Sequence, residues 1–278
     1  MTELLADPLE GGALRRDGAL LRNDAGVWPV LGGVPILVPD PARWLRGARE
    51  HVLAALGEVG RLGADDVALL DAFCAAVRGV DAAAIDDDFL ADEEGPIDVV
   101  VGPSAPLVTA LLGRRAEVVE RLVSQVGPGP VLEIGCGAGT ATRRIGARPL
   151  VVVDRSLRAL LRATAGTDAQ PVVGLAEALP VASEAFGTVV AAHVIDLLDD
   201  PGAFVTEVAR ILRSGGRFVL STPDPALGAA GGTDEAVVDL LEDEGLTVVE
   251  DLDGLPWVRS HGPRHHQLYV VRLVVARR

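Results

Sequence analysis

The chain contains no lysine; all 25 of its Lys-plus-Arg residues are arginine. That absence excludes a Schiff-base lysine, a lysine general base and the lysine of a phosphate-binding Walker loop. Cysteine is scarce as well. Cys74 and Cys136 are too few for a disulfide framework. Positive charge is in short supply: 40 acidic residues against 25 arginines give a formal net charge of −15. Such a balance opposes a nucleic-acid partner, because non-specific attachment relies on a cationic surface. Long apolar runs are missing too. The longest candidate, residues 99–113, is broken by two prolines and two glycines, so no membrane span is expected. The acidic opening MTELLADPLE lacks the basic start and apolar core of a signal peptide. These absences predict a soluble, cytoplasmic protein with no membrane partner.

What is present is hydrophobic: 49% of the 278 residues, ample for a sizeable core. Residues 1–40 are short apolar runs between turn signals (GG, RRDG, NDAG, LGG, PDP), which predicts a small β module with hairpins. Residues 41–126 take a helical period. Trp44, Val52, Leu53, Leu56 and Val59 fall near one face, and Asp65 or Asp66 is placed to cap a second helix. The acidic run DAAAIDDDFLADEEG reads as a solvated loop. VGPGP then breaks the chain, and residues 127–278 alternate strand and helix. VLEI, LVVVD, PVVG, TVVAA and RFVLS are β-branched runs of buried parallel strands. ATRRIGA, SLRALLRAT and DPGAFVTEVARILRSGG read as the helices between them. In the last, Phe204, Val208, Ile211 and Leu212 form the buried stripe and Gly215 and Gly216 end it. LTVVEDL and HQLYVVRLVVAR add two strands with no helix between. The fold class is therefore α/β, a doubly wound, seven-stranded, mostly parallel sheet closing on an antiparallel C-terminal strand.

Candidate chemistry centres on VLEIGCGAGT, residues 131–140. Gly135, Gly137 and Gly139 form a turn after the first strand, where open α/β sheets place their ligands. A dinucleotide, a phosphate or an adenosyl sulfonium could select such a turn. The dinucleotide fingerprint needs a third glycine where Thr140 stands. Glu133 lies inside the first strand, where an acid is unexpected unless it fixes loop backbone or ligand, and Asp154 ends the second, placed to accept from both hydroxyls of a ribose. Acid, glycine turn and acid together point to an adenosine-containing ligand. Cys136 reads as a small filler of the turn.

With these motifs, residues 128–278 resemble the class I S-adenosylmethionine-dependent methyltransferases of the small-molecule type. VVVDRS is similar to their ribose-acid strand, GLAEALPVASEAFGTVVAAHVIDLLDDP to the segment through the fourth strand, and ILRSGGRFVLSTPD to the turn into the fifth. The resemblance implies S-adenosyl-L-methionine as cofactor. The backbone of Gly135, Cys136, Gly137 and Gly139 would pass beside its methionine part, Asp154 would hold the ribose, Arg155 would flank the adenine, and Ala176 and Glu177 would line its edge. Leu175 stands where the family commonly has an aspartate for the adenine amino group. Phe186–Gly187 and Leu197 replace a frequent Phe-Asp and histidine.

His193, after the fourth strand, points to where methyl group and acceptor would meet. It is a candidate general base, or a core or cofactor-lining histidine. His261, His265 and His266 have no recognised metal spacing, so no metal is expected; Trp257, Arg259 and His265 are candidates for acceptor contact. Residues 7–40 resemble the small zinc-ribbon-like domain of the Trm112 type, with WPVLGGVPILVPD as the retained half. Its four cysteine positions carry Asp7, Glu10, Leu21 and Asp24, a set unsuited to zinc, so a metal-free scaffold or lid is expected. The expected function is methyl transfer to a small-molecule acceptor. An RNA base methyltransferase and a catalytically degenerate binding or regulatory protein are the alternatives.

Overall fold

The computed structural model describes residues 2–82, 85, 87, 117–227, 235–262 and 265–278, without the side chains of 2, 259–262, 265 and 266. Most of the acidic run and the whole of residues 99–113 lie outside the described residues.

A four-stranded antiparallel sheet opens the chain: β1 (Arg15–Asp17), β2 (Leu20–Arg22), β3 (Val27–Leu31) and β4 (Val34–Pro35). Two helices follow, α1 (Pro41–Glu58) and α2 (Ala64–Ala75), and residues 117–124 are helical. The second sheet has β5 (Val131–Ile134), β6 (Leu150–Asp154), β7 (Gln170–Val173), β8 (Phe186–Ala192), β9 (Leu212–Thr222), β10 (Thr247–Gly262) and β11 (His265–Arg277). Its order is β10-β11-β9-β8-β5-β6-β7, with β11 antiparallel to both neighbours and the other pairings parallel. Helices α3 (Leu157–Ala163), α4 (Pro201–Ile211) and α5 (Ala236–Asp243) lie between these strands, and short 3-10 turns form at Thr2–Leu4 and Ile195–Leu197. The chain reverses direction across the sheet between β5 and β8, so the ends of these two strands open a crevice.

Alternation along the strands feeds two cores. Val131, Val152, Val190 and Val219 face α1, α2 and α3. Leu132, Val153, Val189 and Phe218 face α4 and α5. The helix starts follow from sequence. Asp40 and Asp200 each precede a proline, and each carboxylate accepts the amide three residues on, from Arg43 at 2.9 Å and from Ala203 at 2.9 Å. Proline loses nothing at a position whose N–H has no helical partner.

Several local expectations are corrected. Val59 is 44% exposed, because α1 ends at Glu58 and Gly60 turns the chain in the left-handed region; Leu45, Ala48 and Ala55 complete the stripe instead. Neither Asp65 nor Asp66 is the cap of α2. Gly63 is, while Asp66, three residues in, accepts from the amides of Gly63 at 3.0 Å and Gly32 at 2.8 Å. ATRRIGA forms successive turns, not a helix. Helix α4 stops at Ile211, and Leu212, Gly215 and Gly216 belong to β9. Within the acidic run, Asp87 is not solvated. It accepts from Ser156 Oγ at 2.6 Å and from Arg158 at 2.6 Å, and lies 3.3 Å from His51 Nδ1.

The N-terminal sheet is held by its own turns and by the edge of β7. Asp7 is 1% exposed and accepts four hydrogen bonds, from the amides of Leu9, Glu10 and Gly12 and from Asn23 Nδ2. Burial raises its pKa, but these donors outweigh burial and hold it below the usual carboxylate range. Leu21 is buried in the core, and Trp28 donates its indole N–H to Val38 O at 2.9 Å. Ile36 pairs with Val173 in parallel, and Leu37 N donates to Val173 O at 2.8 Å. Further on, Ala6 N donates to Pro180 O and Ala182 N to Leu4 O, so the N-terminal chain also grips the segment that follows β7.

Candidate active site

The residues singled out in the sequence converge at the ends of β5, β6 and β8. Glu133 shares the face of Val131, and Asp154 that of Val152, so strand alternation points both carboxyls to the α1 side of the sheet. Between them runs the glycine turn. Gly135 and Gly139 have φ of +67° and +83°. A Cβ would lie 2.4 Å from Val194 Cγ2 at Gly135 and 2.5 Å from Ala163 Cα at Gly139. Both conformation and close approach therefore demand glycine. Gly137 is left-handed too.

The carboxyls differ in their partners. Asp154 Oδ1 accepts from Ser156 N at 2.8 Å, and Oδ2 from the Cys136 thiol at 3.5 Å. Burial raises the Asp154 pKa, and the amides of Ser156, Gly137 and Cys136 with the Cys136 thiol oppose it. Burial and the neighbouring carboxylates push the Cys136 thiol well up, so it remains a protonated donor rather than a nucleophile. Glu133 is 3% exposed, and its Oε2 has no hydrogen-bond partner among the described residues. Burial pushes its pKa up to about 8; Thr142 and Arg143 oppose the rise and Asp154 adds to it.

His193 follows β8 with φ of +55°, an uncommon conformation for a side-chain-bearing residue, and its amide donates to Ser221 O at 2.8 Å. Its ring meets Trp257 edge-on, 4.5 Å between centroids at 81°. Two candidates from distant parts of the sequence are thus in contact. Arg155 is exposed beside Asp154. Ala176 and Glu177 are half-buried in the turn after β7, where Ala178 N donates to Leu175 O, and Leu175 packs on the core. The side chains of Arg259, His261, His265 and His266 lie outside the described residues. Three contributors carry no motif in the sequence: Thr142, which opposes the rise at Glu133, Ser221, whose buried hydroxyl lacks a partner among the described residues, and Asp87.

Residues 132–220 match the family model of the methyltransferase domain. This segment is similar to that domain. Within it lie Glu133, the glycine turn, Asp154, Arg155, Ala176, Glu177 and His193, and S-adenosylmethionine is the cofactor of its class. Over 123 residues the chain is 36% identical to malonyl-[acyl-carrier protein] O-methyltransferase of Hahella chejuensis, covering 40% of this chain and 44% of that protein. Over 116 residues it is 36% identical to a Mycobacterium tuberculosis protein named as a probable S-adenosylmethionine-dependent methyltransferase, covering 40% of this chain and 42% of that one. The matches thus span less than half the length of these relatives. Among solved structures, the chain is similar to the N-methyltransferase NodS of Bradyrhizobium japonicum in complex with S-adenosyl-L-homocysteine. The identity is 22% and the TM-score 0.48, over 69% of this chain and 98% of that one.

The domain's own residues fit the cofactor. Val194 and Ala163 pack where side chains at Gly135 and Gly139 would stand, which fixes the turn between the two acids. The unpartnered Glu133 oxygen suits a cation, and Asp154 has acceptor capacity beyond its present partners.

Proposed function

We propose that the protein is an S-adenosylmethionine-dependent methyltransferase acting on a small-molecule acceptor. The observation that carries this reading is the pair Glu133 and Asp154, on one face at the ends of adjacent strands, flanking the glycine turn of the methyltransferase domain. The cofactor supplies an electrophilic methyl group on a sulfonium. In this reading the Gly135, Cys136, Gly137 and Gly139 backbone and Glu133 receive its methionine end, Asp154 the ribose, and Arg155, Ala176 and Glu177 the adenine. His193 and Trp257 form the acceptor wall, with Arg259 and His265 on the same hairpin. Positioning supplies most of the rate, with His193 as base only where the acceptor is a weak nucleophile.

A small acceptor accords with the net charge of −15, which disfavours a polynucleotide. The N-terminal sheet is read as a metal-free, Trm112-like support for the segment after β7. Asp7 is occupied by four donors and Leu21 is core, which leaves no ligand set at those positions. Leu175 favours one rival, a fold that has lost catalysis.

Calorimetric titration with S-adenosylmethionine tests the reading. Asp154→Ala is expected to weaken binding at least tenfold, about 1.4 kcal/mol. No binding to the wild type, or unchanged affinity in the variant, overturns it. A methylated product from a cell-extract metabolite screen, absent with RNA, then separates a small acceptor from the alternatives.

A further inference from the structure

Two carboxyls face one side of neighbouring strands, and both are largely withdrawn from water. Asp154 is supplied with donors on both oxygens. Glu133 keeps Oε2 without a partner among the described residues. Two buried carboxylates so disposed do not both ionise cheaply, and the proton settles on the one with fewer donors. That one is Glu133.

We propose that Glu133 carries a proton in the ligand-free protein and releases it to solvent as S-adenosylmethionine binds, so that the cofactor's positive charge replaces the proton. The inference rests on the cofactor reading above and adds to it the charge state of the seat. The O–H bond of the Glu133 carboxyl breaks, the proton passes to buffer, and the carboxylate left behind is neutralised by the cation it faces. Among the described residues, the charged or titratable groups around Glu133 are Asp154 from β6, the Cys136 thiol from the glycine turn and Arg143 from residues 141–144. On β8 the residue in register is Val190, which carries no charge. Arg143 offers only partial compensation, since Glu133 still sits at about 8 with it present. Below that pH the cofactor competes with a proton. Affinity is therefore expected to rise about tenfold per pH unit through neutrality and to level off as Glu133 ionises without help.

The test is calorimetry with S-adenosylmethionine at pH 7 in buffers of different ionisation enthalpy, on the full chain and on Glu133→Gln. Wild type is expected to release about one proton more per cofactor bound than the variant. The ligand's own amino group contributes alike to both, so the difference isolates Glu133. Equal proton counts overturn the inference while leaving cofactor binding intact. No binding to the wild type overturns the cofactor reading, and this inference with it. Should Glu133→Gln fail to fold or to bind the cofactor, difference infrared spectroscopy of the wild type decides. Loss of a protonated-carboxyl band on adding cofactor is expected, and an unchanged band overturns the proposal.

Discussion

Asp7 and Glu133 are two buried acids beside glycine-containing turns, and their surroundings drive them in opposite directions. Asp7 is met by three amides and a side-chain amide, and its pKa falls. Glu133 has an oxygen with no partner among the described residues, and its pKa climbs to about 8. Burial acts upward on both, so the supply of donors decides the sign. A saturated acid holds a loop together. An unsaturated one of equal burial weakens the empty protein and suits a ligand that brings the missing charge.

The sharpest way to break this comparison is to make one chemical change at both sites. Asp7→Asn puts an amide N–H₂ against donors and should cost about 3 kcal/mol at pH 7, read as a lower denaturant midpoint. The stabilisation from Asp7 exists above its ordinary carboxylate pKa and is lost as pH falls through the lowered folded value. The gap between wild type and variant should therefore close in acid. Glu133→Gln should do the reverse. The folded protein retains a proton that the unfolded chain has already lost between the ordinary glutamate pKa and about 8, so wild-type stability falls as pH rises through that window. Between pH 5 and pH 8 the cofactor-free variant should then gain about 3 kcal/mol on the wild type. A destabilised variant at pH 8 would collapse the contrast. The smallest effect is expected from Trp28→Phe, which removes a neutral donor from Val38 O. About 1 kcal/mol should be lost, with no pH dependence in either direction.

Much of this architecture is legible in the residues. The β-branched runs announced the parallel strands, Asp-Pro marked two helix starts, and the spacing of Gly135, Gly137 and Gly139 located the turn. What sequence hid was decided by contacts distant in the chain. Asp87 belongs to a run that reads as solvated, yet it ends against Ser156 and Arg158 because α1 packs beside α3. Helix α5 starts without a side-chain cap to mark it, and ATRRIGA carries helix-forming residues that close only into turns. Asp7 was legible as a poor metal ligand but not as a hub for four donors, since that depends on where Asn23 lies. The encounter of His193 with Trp257 likewise depends on how the β10–β11 hairpin returns over β8.

The pairing of Ile36 with Val173 has one more consequence. Strand β7 ends the order of the large sheet, and its outer edge is taken by residues of the same polypeptide. An edge filled in this way meets its partner at an effective concentration set by the intervening chain, independent of how much protein is present. Cut into separate fragments at the link before α1, the two parts would have to find each other by diffusion. The bare edge would then be open to any strand that reached it first.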